Sequence, residues 1–249
     1  VRAAPGGYLP AVELPGRTLV ATWRREVQAD AARVWENVRD WEHLPWLHRT
    51  TFSRIELVEA GAPGWRARVG LGAEAGSEIL LELAIWRDAG RYVSRTLEGP
   101  GAGTEIWTQL DPRGARTGIE VEFHVPGVLP ERAAAVGAGF ERLYARLWDE
   151  DEAMMQRRTR ELARRSGPAA GDAPPVALGP VIELRRRLPL VVELGGERWR
   201  VVELGGELFA HAARCPHWLG PLEDAPLEDD GCLRCPWHGY RFDPRTGAS

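Results

Sequence analysis

Residues 215–243 read CPHWLGPLEDAPLEDDGCLRCPWHGYRFD, and within them Cys215-x-His217 is followed, after seventeen residues, by Cys235-x2-His238. Each pair offers one thiolate and one imidazole from a loop. Pro216 and Pro236 stiffen those loops and remove backbone donors, and Gly239 lets the second one turn. Two thiolates can hold a ferric iron while two neutral imidazoles hold the reducible iron, so the donor set suits a [2Fe-2S] cluster of mixed ligation. The three cysteines fall within 21 positions of one another, a metal-site distribution and not a disulfide framework. Cys232-x2-Cys235 is also a zinc half-site that Cys215 or His217 could complete, but zinc would leave the CxH and CPWHG pairing without a purpose. Cys232 is then a spare thiol beside the cluster loop, and His211 a structural or exposed histidine.

Upstream, VIEL (181–184), VVELGGE (191–197) and VVELGGE (201–207) predict short strands, with each Gly-Gly pair permitting a tight hairpin. SGPAAGDAPPVALGP, residues 166–180, predicts an interdomain linker. Before it, Pro130–Arg165 carries Val136, Phe140, Leu143, Tyr144 and Leu147 at helical spacing; Gly137 and Gly139 weaken its first turns, leaving one bent helix or two. From 52 to 125, FSRIELVEA, WRARVGL, SEILLELAIW, RYVSRTLEG, TEIWTQLDP and TGIEVEFHV alternate like antiparallel strands, after a first strand at 18–27 and a helix over Ala29–Asp40 that Asp30 caps. The expected fold is an α+β helix-grip domain at 18–165, an antiparallel sheet wrapped on a long C-terminal helix around an apolar cavity, followed by a small all-β domain at 181–249. Trp35, Trp41, Trp46, Trp65, Trp86 and Trp107 are candidates to line that cavity, and Phe123 and His124 stand where a late strand can face it.

At 249 residues with 44% apolar content the chain can bury real cores, and its net charge of -4 leaves no extended basic face for nucleic acid. No apolar run is long enough to span a membrane and the N-terminus lacks a signal pattern, so the expectation is a soluble, cytoplasmic protein. The chain starts at Val1 and stops at Ser249, soon after DPRTG, and either end is expected to be open to truncation.

Residues 181–247 resemble the Rieske ferredoxin-like domain in CPH, CPWHG, YRFDPRTG and the preceding VVELGGELFAHAARCPH. The cytochrome bc members place a second cysteine after each ligand loop; Pro221 and Tyr240 stand there here, as in the ferredoxin or oxygenase subtype. The resemblance implies cluster ligation by Cys215, His217, Cys235 and His238.

A second motif lies in VWENVRDWEHLPWLHRTTF, 34–52, which holds Asp40-x2-His43-x4-His48. Two imidazoles and a distant carboxylate form the set that holds ferrous iron on one face and leaves positions open. On a continuous helix the two histidines would stand about 140° apart, but Pro45 interrupts the backbone between them. The segment resembles the mononuclear-iron motif of Rieske non-haem iron oxygenases, in which Glu36-Asn37 leads into Asp40, His43 and His48. The resemblance implies mononuclear Fe(II) held by His43, His48 and a late aspartate. Asp151, preceded by Glu150 and followed by Gln156, fits that habit, with Asp149 in reserve. It further implies that Asp40 bridges an iron histidine and a cluster histidine across a subunit boundary, with a homotrimer among the assemblies. A reductase or ferredoxin would donate electrons, and O2 and a small apolar substrate would react, giving hydroxylation. Two departures stand out: the cluster domain comes last, where the oxygenases place it first, and the helix-grip domain is short. EVQADAARVWENVRDWEHLPWL also matches the first strand and helix of polyketide cyclases and lipid-binding domains, the second reading, in which His43 and His48 are pocket or surface residues and the chain is an electron carrier joined to a ligand-binding domain.

Overall fold

The alternation between Arg17 and Pro126 resolves into one seven-stranded antiparallel sheet in the computed structural model, which describes residues 16–72, 76–165 and 174–249. The chain divides into two units, Val1–Met155 and Gln156–Ser249. The first begins with β1 (Arg17–Val27), α1 (Ala31–Arg39) and the one-turn α2 (Leu44–Leu47). Six strands follow: β2 (Phe52–Gly61), β3 (Gly64–Leu71), β4 (Ser77–Trp86), β5 (Arg91–Glu98), β6 (Glu105–Arg113) and β7 (Arg116–Pro126). Their order is β1-β7-β6-β5-β4-β3-β2, so β1 and β2 form the two edges and the α1–α2 segment connects them.

The long helix α3 (Pro130–Arg165) is continuous. Val136, Phe140, Tyr144, Trp148 and Met155 join the core built by Trp65, Val69, Leu83, Val121 and Phe123 of the sheet. Phe123 stacks on Phe140 with ring centroids 5.1 Å apart and meets Tyr144 edge-on at 4.8 Å. This is the helix-grip arrangement: one apolar helix face seals one face of a curved sheet. At Gly137 the helix lies close against the sheet, since a Cβ there would lie 2.3 Å from the Val20 carbonyl oxygen. The residue that weakens the helix locally is the one that allows it to dock.

The second unit contains the helix α4 (Val181–Arg185), then β8 (Leu190–Leu194), β9 (Glu197–Leu204) and β10 (Glu207–Ala212) in the order β10-β9-β8, then the two-residue strands β11 (Leu233–Arg234) and β12 (Arg241–Phe242). The strand expected of VIEL is therefore a helix. Pro180 sets an extended N-cap, the amides of Glu183 and Leu184 both donate to its carbonyl, and neither sheet includes the segment. The Gly195-Gly196 and Gly205-Gly206 turns hold positive φ at both positions, as tight hairpins require. Of the linker expected at 166–180, residues 166–173 lie outside the described residues.

Candidate metal centres

The first centre is assembled at the exit from α1. Asp30 caps that helix by accepting from the Arg33 amide at 2.8 Å, and the helix ends at Asp40. His43 then precedes α2, Pro45 sits in its first turn, and His48 closes it with φ −101° and ψ 37°. The break does what a continuous helix could not: the two imidazoles meet with centroids 5.2 Å apart, and both are buried. Asp151 of α3 completes the group, with Oδ1 3.5 Å from His43 Nε2 and 3.2 Å from His48 Nε2. One ligand atom from each of the three residues lies within 4.8 Å of the others.

The outer ring nitrogens and the carboxylate have neighbours of their own. Asp40 Oδ2 stands 3.3 Å from His43 Nδ1 but out of line for a hydrogen bond, whereas Glu150 Oε2 lies 2.6 Å from His48 Nδ1 and the Asn37 amide donates to Asp151 Oδ1 at 3.0 Å. A hydrogen-bonded partner such as Glu150 fixes the tautomer and aims the inner nitrogen. Four consecutive acids, 149–152, thereby take different directions. Arg25 of β1 holds Asp149 at 2.6 Å and Glu152 at 2.5 Å, Glu150 backs His48, and Asp151 turns inward. Asp149, the reserve ligand, is 69% exposed and is not in the group. Burial alone would lower the His48 pKa, but Asp151 and Glu150 outweigh it and raise it. Burial likewise opposes ionisation of Asp151, while His48, His43 and Asn37 hold its pKa below the usual value. The opposed shifts of His48 and Asp151 favour a protonated imidazole beside an ionised carboxylate, and a metal ion bound at such a pair would displace that proton.

The triad borders a cavity of about 120 Å³ with Leu81, Leu83 and Trp65 on the sheet and Leu147 and Trp148 on the helix. Of the six tryptophans considered for this wall only Trp65 contributes, and Trp148 was missed. Trp35 is buried in the core, Trp41 packs against it and Trp46 is exposed. Trp86 and Trp107 lie on the opposite sheet face, beneath Arg95 and Arg91, where Arg95 also joins buried Glu82 and Glu105. Phe123 is core, and His124 pairs with Glu122 at 3.0 Å. Tyr92, Ser94 and Tyr144 also border the cavity. They carried no sequence signal beyond strand or helix periodicity.

The second centre lies in the second unit, on two loops of the same construction. The Cys215 amide donates to Gly220 O at 2.8 Å and the Leu219 amide returns to Cys215 O at 2.9 Å; Cys235 with Tyr240, and Gly239 with Cys235, repeat both bonds at 2.8 and 2.9 Å. The fourth residue after each cysteine takes the left-handed conformation, Leu219 at φ 65° and Gly239 at φ 70°. Both thiols are fully buried, and the influence of each on the other pulls Cys215 down to about 7 and pushes Cys235 well above a normal thiol. The His217 and His238 rings are 4.7 Å apart, His217 exposed and His238 buried beside Trp218. Gly220 leaves room for this packing, because a Cβ there would lie 2.9 Å from Cys235 Sγ and 3.1 Å from the Trp237 ring. Cys232 is partly exposed, with its amide bonded to Asp230. Buried paired sulfurs with two converging imidazoles fit a mixed-ligand cluster.

Residues 175–249 match the Rieske [2Fe-2S] domain. The Rieske domain supports a [2Fe-2S] cluster and electron transfer with a redox partner. Among curated proteins the chain is similar to pheophorbide a oxygenase, chloroplastic, of Oryza sativa subsp. japonica, at 50% identity over 30 residues, 12% of this chain and 6% of that protein. The match thus spans a small fraction of the relative's length. Among solved structures, the ZhuI aromatase/cyclase of Streptomyces sp. R1128 is similar at 18% identity and TM-score 0.46, over 56% of this chain and 94% of that one. A START superfamily protein from Mycobacterium smegmatis is similar at 16% identity and TM-score 0.40, over 57% and 97%. Among the described residues no helix is long and apolar enough to cross a membrane.

Proposed function

We propose that the chain is a Rieske-type oxygenase, with a helix-grip catalytic domain at 18–165, a linker at 166–180 and the cluster domain at 181–249. In this reading Cys215, His217, Cys235 and His238 ligate the cluster, and His43, His48 and Asp151 hold mononuclear Fe(II). The observation that carries it is the convergence of those three side chains, from two separated parts of the sequence, at the wall of an apolar cavity. A histidine pair that served only packing would have no reason to aim both inner nitrogens at one buried carboxylate.

When bound, the cluster supplies single electrons and the iron supplies open coordination positions for dioxygen. The chain's own residues do the rest. Glu150 orients His48, Asn37 fixes the Asp151 oxygen between the two histidines, and Asp40 stands beside His43 as a neighbouring charge. Leu81, Leu83, Trp65 and Trp148 exclude water and hold an apolar substrate beside the triad. His217, the exposed member of the histidine pair, faces an electron donor of the reductase or ferredoxin class. Asp40, beside His43, is the residue proposed to link the two centres, across a subunit boundary in a homotrimer, and hydroxylation of a small apolar compound by O2 is the proposed reaction.

The test is nitric oxide added to Fe(II)-loaded protein without oxygen. The broad low-field electron paramagnetic resonance signal of a non-haem iron nitrosyl is expected in the wild type and absent from His43→Ala/His48→Ala. No such signal in wild-type protein whose cluster is intact would leave an electron-carrying domain joined to a ligand-binding one.

A further inference from the structure

The cavity beside the triad is small. An apolar cavity of about 150 Å³ accommodates benzene, whereas pockets for drug-sized ligands run to about 300–1,000 Å³; this one is about 120 Å³. Its far wall is set by core side chains with little freedom to yield, such as Trp65 and Leu83, because close-packed interiors resist expansion. One ring, or an aliphatic body of the same size, fills the space.

The chemistry of the wall narrows the class further. Among the described residues no arginine or lysine lines the cavity, while Asp40 and Asp151 both do. His43 and His48 line it too, but each already faces carboxylates of its own, Asp40 and Asp151 for the first and Asp151 and Glu150 for the second, so a carboxylate or phosphate would find no spare counter-charge in the metal-free wall, and burying an uncompensated anion costs more than the cavity's apolar contacts return. The wall nevertheless holds three hydroxyl-bearing side chains, Tyr92, Ser94 and Tyr144. Burial raises both tyrosines, and the Asp151 charge adds to this, so each remains a protonated donor at neutral pH. A wall of leucines alone would suit a bare hydrocarbon; a wall that also carries three hydroxyls, Tyr92's beside Thr108, can in addition serve a ligand oxygen.

We infer that the site takes a neutral molecule of single-ring size bearing one hydroxyl or carbonyl oxygen, which Tyr92, Ser94 and Tyr144 recognise, and that it rejects anions and fused-ring compounds. The inference rests on the proposed iron site only for what happens to the ligand, not for its binding.

The experiment uses the full chain with its cluster intact and its triad free of metal, so that no turnover occurs and no metal charge draws an anion in, and measures binding of phenol, benzoate and 1-naphthol by ligand-observed magnetic resonance and calorimetry. Phenol is expected to bind at least about tenfold more tightly than either of the others, the scale on which a buried hydrogen-bonding site discriminates. Tyr92→Phe/Ser94→Ala is expected to weaken phenol about tenfold and leave benzene unchanged, and Leu81→Ala is expected to admit 1-naphthol. Benzoate or 1-naphthol binding as tightly as phenol to the wild type, or no phenol binding, overturns the inference, and neither result depends on a variant folding. A separate Zn(II) titration of the same protein distinguishes the two ideas: phenol binding by protein that takes up no Zn(II) sinks the metal site alone, and Zn(II) uptake by protein that binds no phenol sinks the ligand class alone.

Discussion

Replacing Glu150 tests whether the carboxylate behind His48 belongs to a metal site. Glu150 Oε2 stands 2.6 Å from His48 Nδ1, with 31% of its side chain exposed, a distance typical of a charge-assisted bond. Losing the outer partner of a ligating histidine typically costs about 10–100-fold in metal affinity, or about 1.4–2.7 kcal/mol. Partial exposure places Glu150→Gln, which keeps an acceptor but loses the charge, near tenfold, and Glu150→Ala between that and the upper limit. The same carboxylate also favours the protonated His48 of the metal-free protein, and that proton competes with the metal. Below the raised His48 pKa the two effects partly cancel; above it only the loss of metal binding remains. The deficit should therefore grow with pH. Competition titration of Co(II) against a chromophoric chelator, on protein whose cluster absorption matches the wild type, gives both numbers. Equal Co(II) affinity for Glu150→Ala and wild type at alkaline pH would refute the reasoning.

Gly137→Ala should destabilise the first unit by about 1–3 kcal/mol, because the new methyl meets the Val20 carbonyl; Gly139→Ala, which meets nothing within 4 Å, should gain about 0.5–1 kcal/mol from helix propensity. Denaturant melts of the two variants should move in opposite directions. In the second unit, burial would raise the Glu223 pKa, but Arg157 at 2.6 Å and Arg198 at 2.8 Å outweigh it and lower it. A depressed carboxylate contributes stability that is present above its unfolded pKa and disappears as pH falls through the folded one. Glu223→Gln should thus be less stable than wild type at neutral pH, and the gap should close in acid; a gap that persists below the native pKa would assign the effect to packing.

Most of the architecture was legible because it rests on local periodicity. The seven strands lie close to where alternation places them, and the 130–165 helix runs over its full expected length. VIEL misled because four residues carry no period, and a preceding proline starts a helical turn as readily as it ends a loop. At the site, His43 and His48 were legible from spacing and Pro45, since a break between them was needed. Choosing among the acids 149–152 was a matter of helix rotation, which depends on Arg25 reaching across from β1, a long-range contact no local pattern encodes. The tryptophans were misjudged for a related reason. Trp86 and Trp107 sit on the sheet face that carries Glu82, Arg95 and Glu105, the face turned away from the cavity, and an aromatic residue was counted for the cavity without regard to which face its strand position gives it. Tyr92 and Tyr144 stayed hidden because a tyrosine facing a core and one facing a cavity look alike in sequence.

Iron and acid-labile sulfide per chain, measured on protein purified without oxygen, test the claim of two centres most directly. Three irons and two sulfides are expected from one [2Fe-2S] cluster and one mononuclear site, falling to two and two in His43→Ala/His48→Ala. Two irons and two sulfides in both proteins would contradict the account, leaving the cluster without an iron site to serve.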